Sequence, residues 1–389
     1  MAAPRIPLDL IFEILVWLPT VFILRFKCVC KDWYNLINSP TFIKLHLNKS
    51  LEPNSQHDCM LLWITSNTLC GVDDLYQPVK AIKLNWPKDT VNDGDSVYFV
   101  GSCNGLVCFK IIRSREYTNY GLSRFLICNP TTRTFKSILP SMEKKWTQSF
   151  ISCGFGYDSV HDDYKIVVTS CSLGVTNKYV CTYSLNTDLW SGSSTPTRVP
   201  TGRNWTINSE AIYGNNNMLY YLVLYSEIED LTSDDYRIAR YDVVSEKWRD
   251  DLSIPPVQLF KFHHFVQLEK LNGLLYLHVA DHRVRSSEFW MMEEHDGSWK
   301  KMFDISGDLY MHHLIARSKD GHRLLLIQYF HSEGTQLFWY DQRDNTKTPF
   351  KLAETMPRNR ESYELCIASL VAIPGGCSLT KLQQLEEGA

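Results

Sequence analysis

Several signals that would narrow a function are missing from this sequence. Charge of one sign is the first: 40 Lys+Arg against 43 Asp+Glu leave a net charge of -3, so no global field draws the chain to nucleic acid or to an anionic membrane. Long apolar runs are missing too. The longest near the start, Ile14 to Leu18, falls far short of the roughly 20 residues a membrane span needs, and no charged-then-apolar signal peptide precedes it. The chain is therefore expected in the cytosol, the nucleus or both. Two glycosylation sequons, at Asn48 and Asn204, are read as coincidences in that setting.

Chemistry-bearing motifs are equally scarce. There is no Gly-rich phosphate loop, no Gly-x-Ser-x-Gly elbow and no His-Glu-x-x-His. His263-His264 and His312-His313 are adjacent pairs, whose side chains alternate across a strand and cannot share one metal. Cys28-x-Cys30 and Cys103-x4-Cys108 lack a second pair at zinc-site spacing. The 12 cysteines lie mostly inside apolar runs and read as reduced, buried small hydrophobes. The doublets Asp73-Asp74, Asp162-Asp163, Asp234-Asp235 and Asp250-Asp251 read as turn residues that bond nearby backbone. No catalytic residue, metal or cofactor is predicted.

What is present begins with apolar material: 44% hydrophobic residues over 389 positions suffice for one small and one large domain. From Pro7 to Leu18 only Asp9 and Glu13 are polar, so this helix is apolar on nearly every side and must be covered on nearly every side. Pro7 suits the first turn and Pro19 stops it. A second helix is expected from Val21 to Ile37, with Arg25, Lys27 and Lys31 as its solvated stripe. A third begins at Ser39-Pro40 and runs through Phe42 to Leu47. Some forty-five residues cannot supply all the cover these helices need, which leaves a partner surface to provide the rest.

These residues carry a family resemblance. Ile6-Pro7-Leu8-Asp9-Leu10, Glu13-Ile14-Leu15, Leu18-Pro19, Leu24-Arg25-Phe26-Lys27-Cys28-Val29-Cys30-Lys31-Asp32-Trp33, Ile37, Ser39-Pro40 and Phe42 closely resemble the plant F-box. Trp17, where the family usually has Arg, and Val21-Phe22, where it usually has Lys-Ser, make this copy more apolar. The resemblance implies docking onto the Skp adaptor of a Skp–cullin–F-box ubiquitin ligase. By position, the contacts it implies are Pro7, Leu8, Ile11, Ile14, Leu15, Leu18, Pro19, Leu24, Val29, Cys30 and Trp33.

From Cys59 onward the pattern becomes short β-branched and aromatic runs divided by Gly, Asn and Asp. A closing aromatic after a polar turn recurs at Phe135, Trp190, Trp248, Trp299 and, most weakly, Phe350, at separations of 55, 58, 51 and 51 residues. A second marker, a turn before an apolar strand, keeps nearly the same period: Asn104-Gly105, Asp163, Asn217, Asn272-Gly273 and Gly321. Two markers in phase near fifty residues indicate kelch-like propeller blades. Five blades are visible. The strands expected over 60–65, 79–86 and 365–373 would form a sixth by pairing the two chain ends, which removes exposed edges.

Gly101-Ser102-Cys103-Asn104-Gly105-Leu106, Asn129-Pro130-Thr131 and Gly154-Phe155-Gly156-Tyr157-Asp158 also resemble the F-box-associated domain of plant F-box proteins, among them S-locus F-box proteins. The expected layout is an all-α F-box of three helices over 1–48, a short linker over 49–58, an all-β propeller over 59–377 and a flexible tail over 378–389, an α+β multidomain chain. Segments 113–123, 171–178, 226–236, 281–287 and 331–335 each follow a turn-strand marker by eight to ten residues. They should emerge on one rim, where recognition commonly resides. Candidate target contacts there are Arg113, Arg115, Tyr117, Glu227, Glu229, Asp230, Arg283 and Arg285.

The function implied is a non-enzymatic substrate receptor that brings a target protein to the ligase. Two alternatives stay open: an F-box scaffold acting with the adaptor outside ubiquitination, and a propeller lectin or enzyme, which would need a convergent polar cluster in the channel.

Overall fold

The computed structural model describes residues 6–378 apart from 53–58, 66–67, 73–81, 88–89, 93, 116–118, 141–149, 172–176, 193–196, 199–204, 208–209, 215, 226–234, 257–263, 272, 282, 284–285, 294–296, 307–311, 319, 331–333 and 351–362. The N-terminal unit has four helices rather than three: α1 (Leu8–Val16), α2 (Thr20–Phe26), α3 (Lys31–Ile37) and α4 (Pro40–Leu51). The expected second helix breaks because Cys30 is extended, at φ -163 and ψ 171. The break lets Phe26 and Trp33 meet edge to face at 5.6 Å. Ser39 caps α4, its Oγ accepting from the Phe42 N–H at 3.3 Å, with Pro40 at the first position. Helix α4 continues to Leu51, so the first residues of the expected linker are helical.

The rest is a six-bladed propeller. Blade 1 comprises Asp95–Cys103, Leu106–Arg115, Asn119–Asn129 and Thr134–Ile138; blade 2, Phe150–Asp158, Asp163–Cys171, Asn177–Ser184 and Leu189–Gly192. Blade 3 opens with the short strands Trp205–Ile207 and Ile212–Tyr213, then Met218–Tyr225, Asp235–Asp242 and Lys247–Ser253. Blade 4 is His264–Leu271, Leu274–Asp281, Ser286–Met292 and Trp299–Ser306; blade 5, His312–Arg317, Arg323–Phe330, Gly334–Asp341 and Thr346–Pro349. Blade 6 takes its innermost strand, Tyr363–Ile367, from the C-terminal side and its outer three, Cys59–Thr65, Thr68–Val72 and Ile82–Leu84, from the N-terminal side. The expected strand 365–373 thus ends at Ile367, and 79–86 is strand only over Ile82–Leu84. A further pairing, Cys377–Ser378 on Thr134–Phe135, adds a fifth strand at the outer edge of blade 1.

The first strands of neighbouring blades touch all the way round, from blade 1 to blade 6 and back. These contacts close the ring of six sheets.

Backbone conformation explains the repeat. Left-handed residues at Arg133, Asp188, Glu246 and Gly297 each stand two positions before a closing aromatic, at Phe135, Trp190, Trp248 and Trp299. Blade 5 departs: its left-handed residue is Asn345 and Phe350 lies beyond the strand. Left-handed residues also mark the first turn of blades 1 to 5, at Asn104 and Gly105, Asp162, Asn217, Gly273 and Gly321. Both sequence markers are therefore turns where Asn, Asp and Gly are favoured for positive φ. Asp250 and Asp251, by contrast, lie within the strand Lys247–Ser253 rather than in a turn.

Cross-blade bonds hold these turns on one rim. Asn217 Oδ1 accepts from the Ser159 N–H at 3.0 Å, Lys165 Nζ donates to the Val243 carbonyl at 2.8 Å, and Lys136 pairs with Asp188 at 3.1 Å. Since the strands of each blade are antiparallel, every connection from second to third strand lies at the opposite rim.

Candidate protein-docking surfaces

The helical unit has a compact core and an apolar exterior. Leu15, Val16, Ile23, Ile37 and Phe42 are buried together, and Phe12 meets Phe42 edge to face at 5.5 Å. His46, also buried, stacks on Phe42 and holds the Leu18 carbonyl through Nε2 at 2.9 Å. Nε2 is then the protonated nitrogen, since a carbonyl can only accept.

Of the residues the family resemblance assigns to the adaptor, Pro7, Leu8, Ile14, Val29 and Cys30 are exposed, and Ile11, Leu18, Pro19, Leu24 and Trp33 are half-buried. Leu15 differs from these: at 1% exposure it lies in the core beneath that surface. Cys28 and Cys30 are likewise exposed thiols, not the buried hydrophobes expected, because the extended turn between α2 and α3 lifts them outward.

The contacts implied by the resemblance leave out Leu10, Trp17, Phe22 and Tyr34, all exposed large hydrophobics. With Ile14, Leu10 and Trp17 form an i, i+4, i+7 stripe on α1, a spacing readable in the sequence. Lys49 lies 4.3 Å above the Trp17 ring, covering part of its apolar face. An exposed apolar surface of this size on so small a unit marks a protein–protein interface.

The opposite rim is described only in part. Arg113 lies in the second strand of blade 1 rather than in a loop, and its Nε is 3.3 Å from the buried Asp95 carboxylate. Arg283 is exposed and held by Asp281, with Nη2 to Oδ2 at 3.1 Å and its backbone N–H on Oδ1 at 2.8 Å. Arg115 is placed at the end of the same strand as Arg113. Tyr117, Glu227, Glu229, Asp230 and Arg285 lie outside the described residues. The structure brings the ends of the second and third strands to one rim, and of the proposed contacts only Arg113, Arg115 and Arg283 are placed among the described residues.

The axis of the ring carries three carboxylates that serve the backbone. Glu210 accepts from the Cys153 N–H at 2.5 Å and pairs with Lys110. Glu269 accepts from the Leu314 N–H at 2.9 Å, with His313 Nδ1 at 3.4 Å. Glu364 lies beside Ser102 of blade 1, whose hydroxyl donates to the adjacent Leu365 carbonyl at 2.9 Å. Burial pushes all three carboxyls above their usual range, against the pull of these partners. Glu269 joins the first strand of blade 4 to that of blade 5, and Glu210, between the two short opening strands of blade 3, reaches the first strand of blade 2 and the second strand of blade 1. Among the described residues, no group of three or more His, Cys, Asp or Glu could hold a metal ion.

A helical docking unit with an uncovered apolar face, fused to a propeller whose loops gather at one rim, defines a receptor-type F-box protein. The chain matches the F-box domain over residues 4–45 and the F-box associated beta propeller domain over residues 68–372, and it belongs to that family. An F-box/kelch-repeat protein of Arabidopsis thaliana is 27% identical over 314 residues, covering 78% of this chain and 80% of the relative. The F-box protein CPR1 of the same plant is 24% identical over 411 residues, covering 94% and 88%. Among solved structures an ulvan polysaccharide lyase aligns at a TM-score of 0.41 and 9% identity over 83% of this chain and 75% of its own, too loose a likeness to bear on activity.

Proposed function

We propose that this chain is the substrate receptor of a Skp–cullin–F-box ubiquitin ligase, binding the Skp adaptor through α1 to α3 and a target protein through the far rim of the propeller. The observation that carries the reading is the polarity of the molecule. The helices sit on the rim of first and third turns, where Lys44 reaches Asp162 at 3.2 Å, and the second-to-third-strand connections lie at the other end. A target held there is kept clear of the adaptor yet tethered to the same rigid body, so its encounter with the charged conjugating enzyme becomes effectively intramolecular. No catalytic step is assigned to the chain itself. The free thiols of the described cysteines favour a reducing cytosol or nucleus as its place of action.

The test is affinity purification from plant tissue with and without proteasome inhibition. Proteins captured by the wild type should accumulate under inhibition, and Ile14→Glu combined with Val29→Glu should lose the adaptor while retaining them. Retained adaptor in the double variant would overturn the docking assignment. Targets that bind but never accumulate under inhibition would favour a scaffold working outside degradation.

A further inference from the structure

Residues 368–373 fall at the C-terminal end of the propeller domain by sequence, yet they join it to the helical unit. They leave the innermost strand of blade 6 at Ile367 and cross beneath blade 1 to the outer-edge pairing of Cys377–Ser378 with Thr134–Phe135. Ala368, Ser369, Leu370, Val371 and Ile373 are all buried.

The side chains divide between the two units. Leu370 enters the F-box core beside Leu15, Val16, Ile23, Ile37 and Phe42, the one buried member of that cluster from outside the helices. Val371 and Ile373 join the core shared by blades 1, 2 and 3, and Ile43 and Leu47 of α4 pack against it. The buried Thr20 hydroxyl at the start of α2 donates to the Ala368 carbonyl at 3.1 Å. From the propeller side Asn129, fully buried, donates through Nδ2 to the carbonyls of Ser369 at 3.1 Å and Val371 at 2.8 Å. Its Oδ1 meanwhile accepts from the N–H groups of Thr131 and Thr132 at 2.9 and 3.2 Å.

The passage of this strap is cut to glycine. A Cβ on Gly105, whose φ is +82, would stand 2.1 Å from Ser369 Oγ and 2.9 Å from the Ile367 carbonyl oxygen, so any side chain there displaces the strap.

We infer that residues 368–373 make F-box integrity conditional on closure of the ring: the adaptor-docking surface is complete only while blade 6 is zipped. A helical unit of this size cannot bury enough apolar surface to stand alone, and the strap supplies the missing piece of its core. Coupling of this kind is reciprocal. A partner that binds the helices should tighten blade 6, and loss of the C-terminal strand should loosen the helices. The partner clause rests on the ligase-receptor reading; the coupling itself does not.

Hydrogen exchange on the full chain, with no adaptor present, tests it. Asn129→Asp keeps the turn-capping oxygens but removes both donors to the strap, and Leu370→Ala removes the side chain shared with the F-box. Each variant should speed exchange in α1 to α4 and in Tyr363–Ile367 together, by tenfold or more, while Leu274–Asp281 of blade 4 stays as in wild type. Thr20→Val, confined to the helical side, should produce a smaller rise in both places and serves if either stronger variant also loosens blade 4. Helices that keep wild-type protection while the strap exchanges faster would overturn the inference, as would helices that loosen with the strap unchanged. Because the readout involves no partner, a failure of the ligase reading would show separately, as absent adaptor binding by a chain whose coupling is intact.

Discussion

The indole N–H of Trp299 in blade 4 donates to the carbonyl of Ser253 in blade 3, at 2.9 Å. Trp190 in blade 2 makes the same bond to Leu139, just past the outer strand of blade 1, also at 2.9 Å. The closing aromatic of one blade thus pins the outer strand of the blade before it. Trp248 in blade 3 is seated between Tyr221 and Tyr241, with ring centroids 5.3 and 5.2 Å away.

Removing the bond alone and removing the ring should differ. Trp299→Phe is expected to cost about 0.5–1.5 kcal/mol, the net worth of one hydrogen bond. Trp248→Ala should cost about 3–5 kcal/mol, because the buried ring leaves a cavity. Urea unfolding monitored by tyrosine fluorescence measures both. A Trp248→Ala cost below about 1 kcal/mol would show that the ring is not a packing element.

Why the propeller was legible and the helical unit only partly so follows from these contacts. Blades 1 to 4 each repeat two turns that need positive φ, so Asn, Asp and Gly recur at Asn104-Gly105, Asp162, Asn217 and Gly273, two to three strands from each closing aromatic. Local backbone demands of that sort are written into local sequence. The break at Cys30 was not visible, because Val21 to Ile37 keeps helical spacing throughout and only the packing of Phe26 on Trp33 requires the turn. The role of Leu370 was hidden for a related reason: it lies 333 positions from Ile37, and no local pattern announces a contact that only ring closure creates. At the far rim the charges are legible in the sequence but their geometry is not. Arg113 and Arg283 turn out to be held by Asp95 and Asp281, residues of their own blades.

Docking should be separable from folding. Ile14 is 56% exposed and Val29 58% exposed, so replacing both with Glu should abolish adaptor binding while shifting the midpoint of unfolding little. Central apolar anchors commonly carry more than about 2 kcal/mol each. Leu18→Glu should instead damage the helices as well, since Leu18 packs on their core and its carbonyl anchors His46. Circular dichroism alongside adaptor pull-down distinguishes the two. Equal unfolding by both variants would mean that the exposed stripe is structural.

The buried carboxyl of Glu269 makes a pH prediction with a definite sign. Burial raises its pKa, while His313 and the Leu314 N–H oppose the rise; His278 Nδ1 also faces it at 4.0 Å. A group that holds its proton more tightly in the folded chain contributes stability that is complete below the unfolded value, about 4.3 for Glu, and lost as pH rises through the folded value. Wild type should therefore gain stability relative to Glu269→Gln as pH is lowered from neutrality toward that value. Denaturation midpoints of the pair across that range read it directly, and a gap that moves the other way would assign the cluster a salt-bridge role instead.

The far rim supplies the last prediction. In each blade the connection from second to third strand is carried by a hairpin whose strands are already paired along their length, as between Leu274–Asp281 and Ser286–Met292. Such loops tolerate replacement because the blade does not depend on them for closure. Grafting 113–123, 226–236 and 281–287 from a related receptor should therefore change which proteins co-purify without altering adaptor binding. The first graft carries one structural cost: Arg113 pairs with the buried Asp95, so a chimera lacking an arginine there would leave that carboxylate with the Asn92 N–H at 3.0 Å but without its cation and lose about 0.5–1.5 kcal/mol. Keeping Arg113 and exchanging only the rest isolates recognition from that cost. Reversing the charge of Glu227, Glu229 and Asp230 should slow association with a basic target and flatten its salt dependence. If the partners of the chimera match those of wild type, recognition lies on the opposite rim or along the axis, and the loop residues have no part in it.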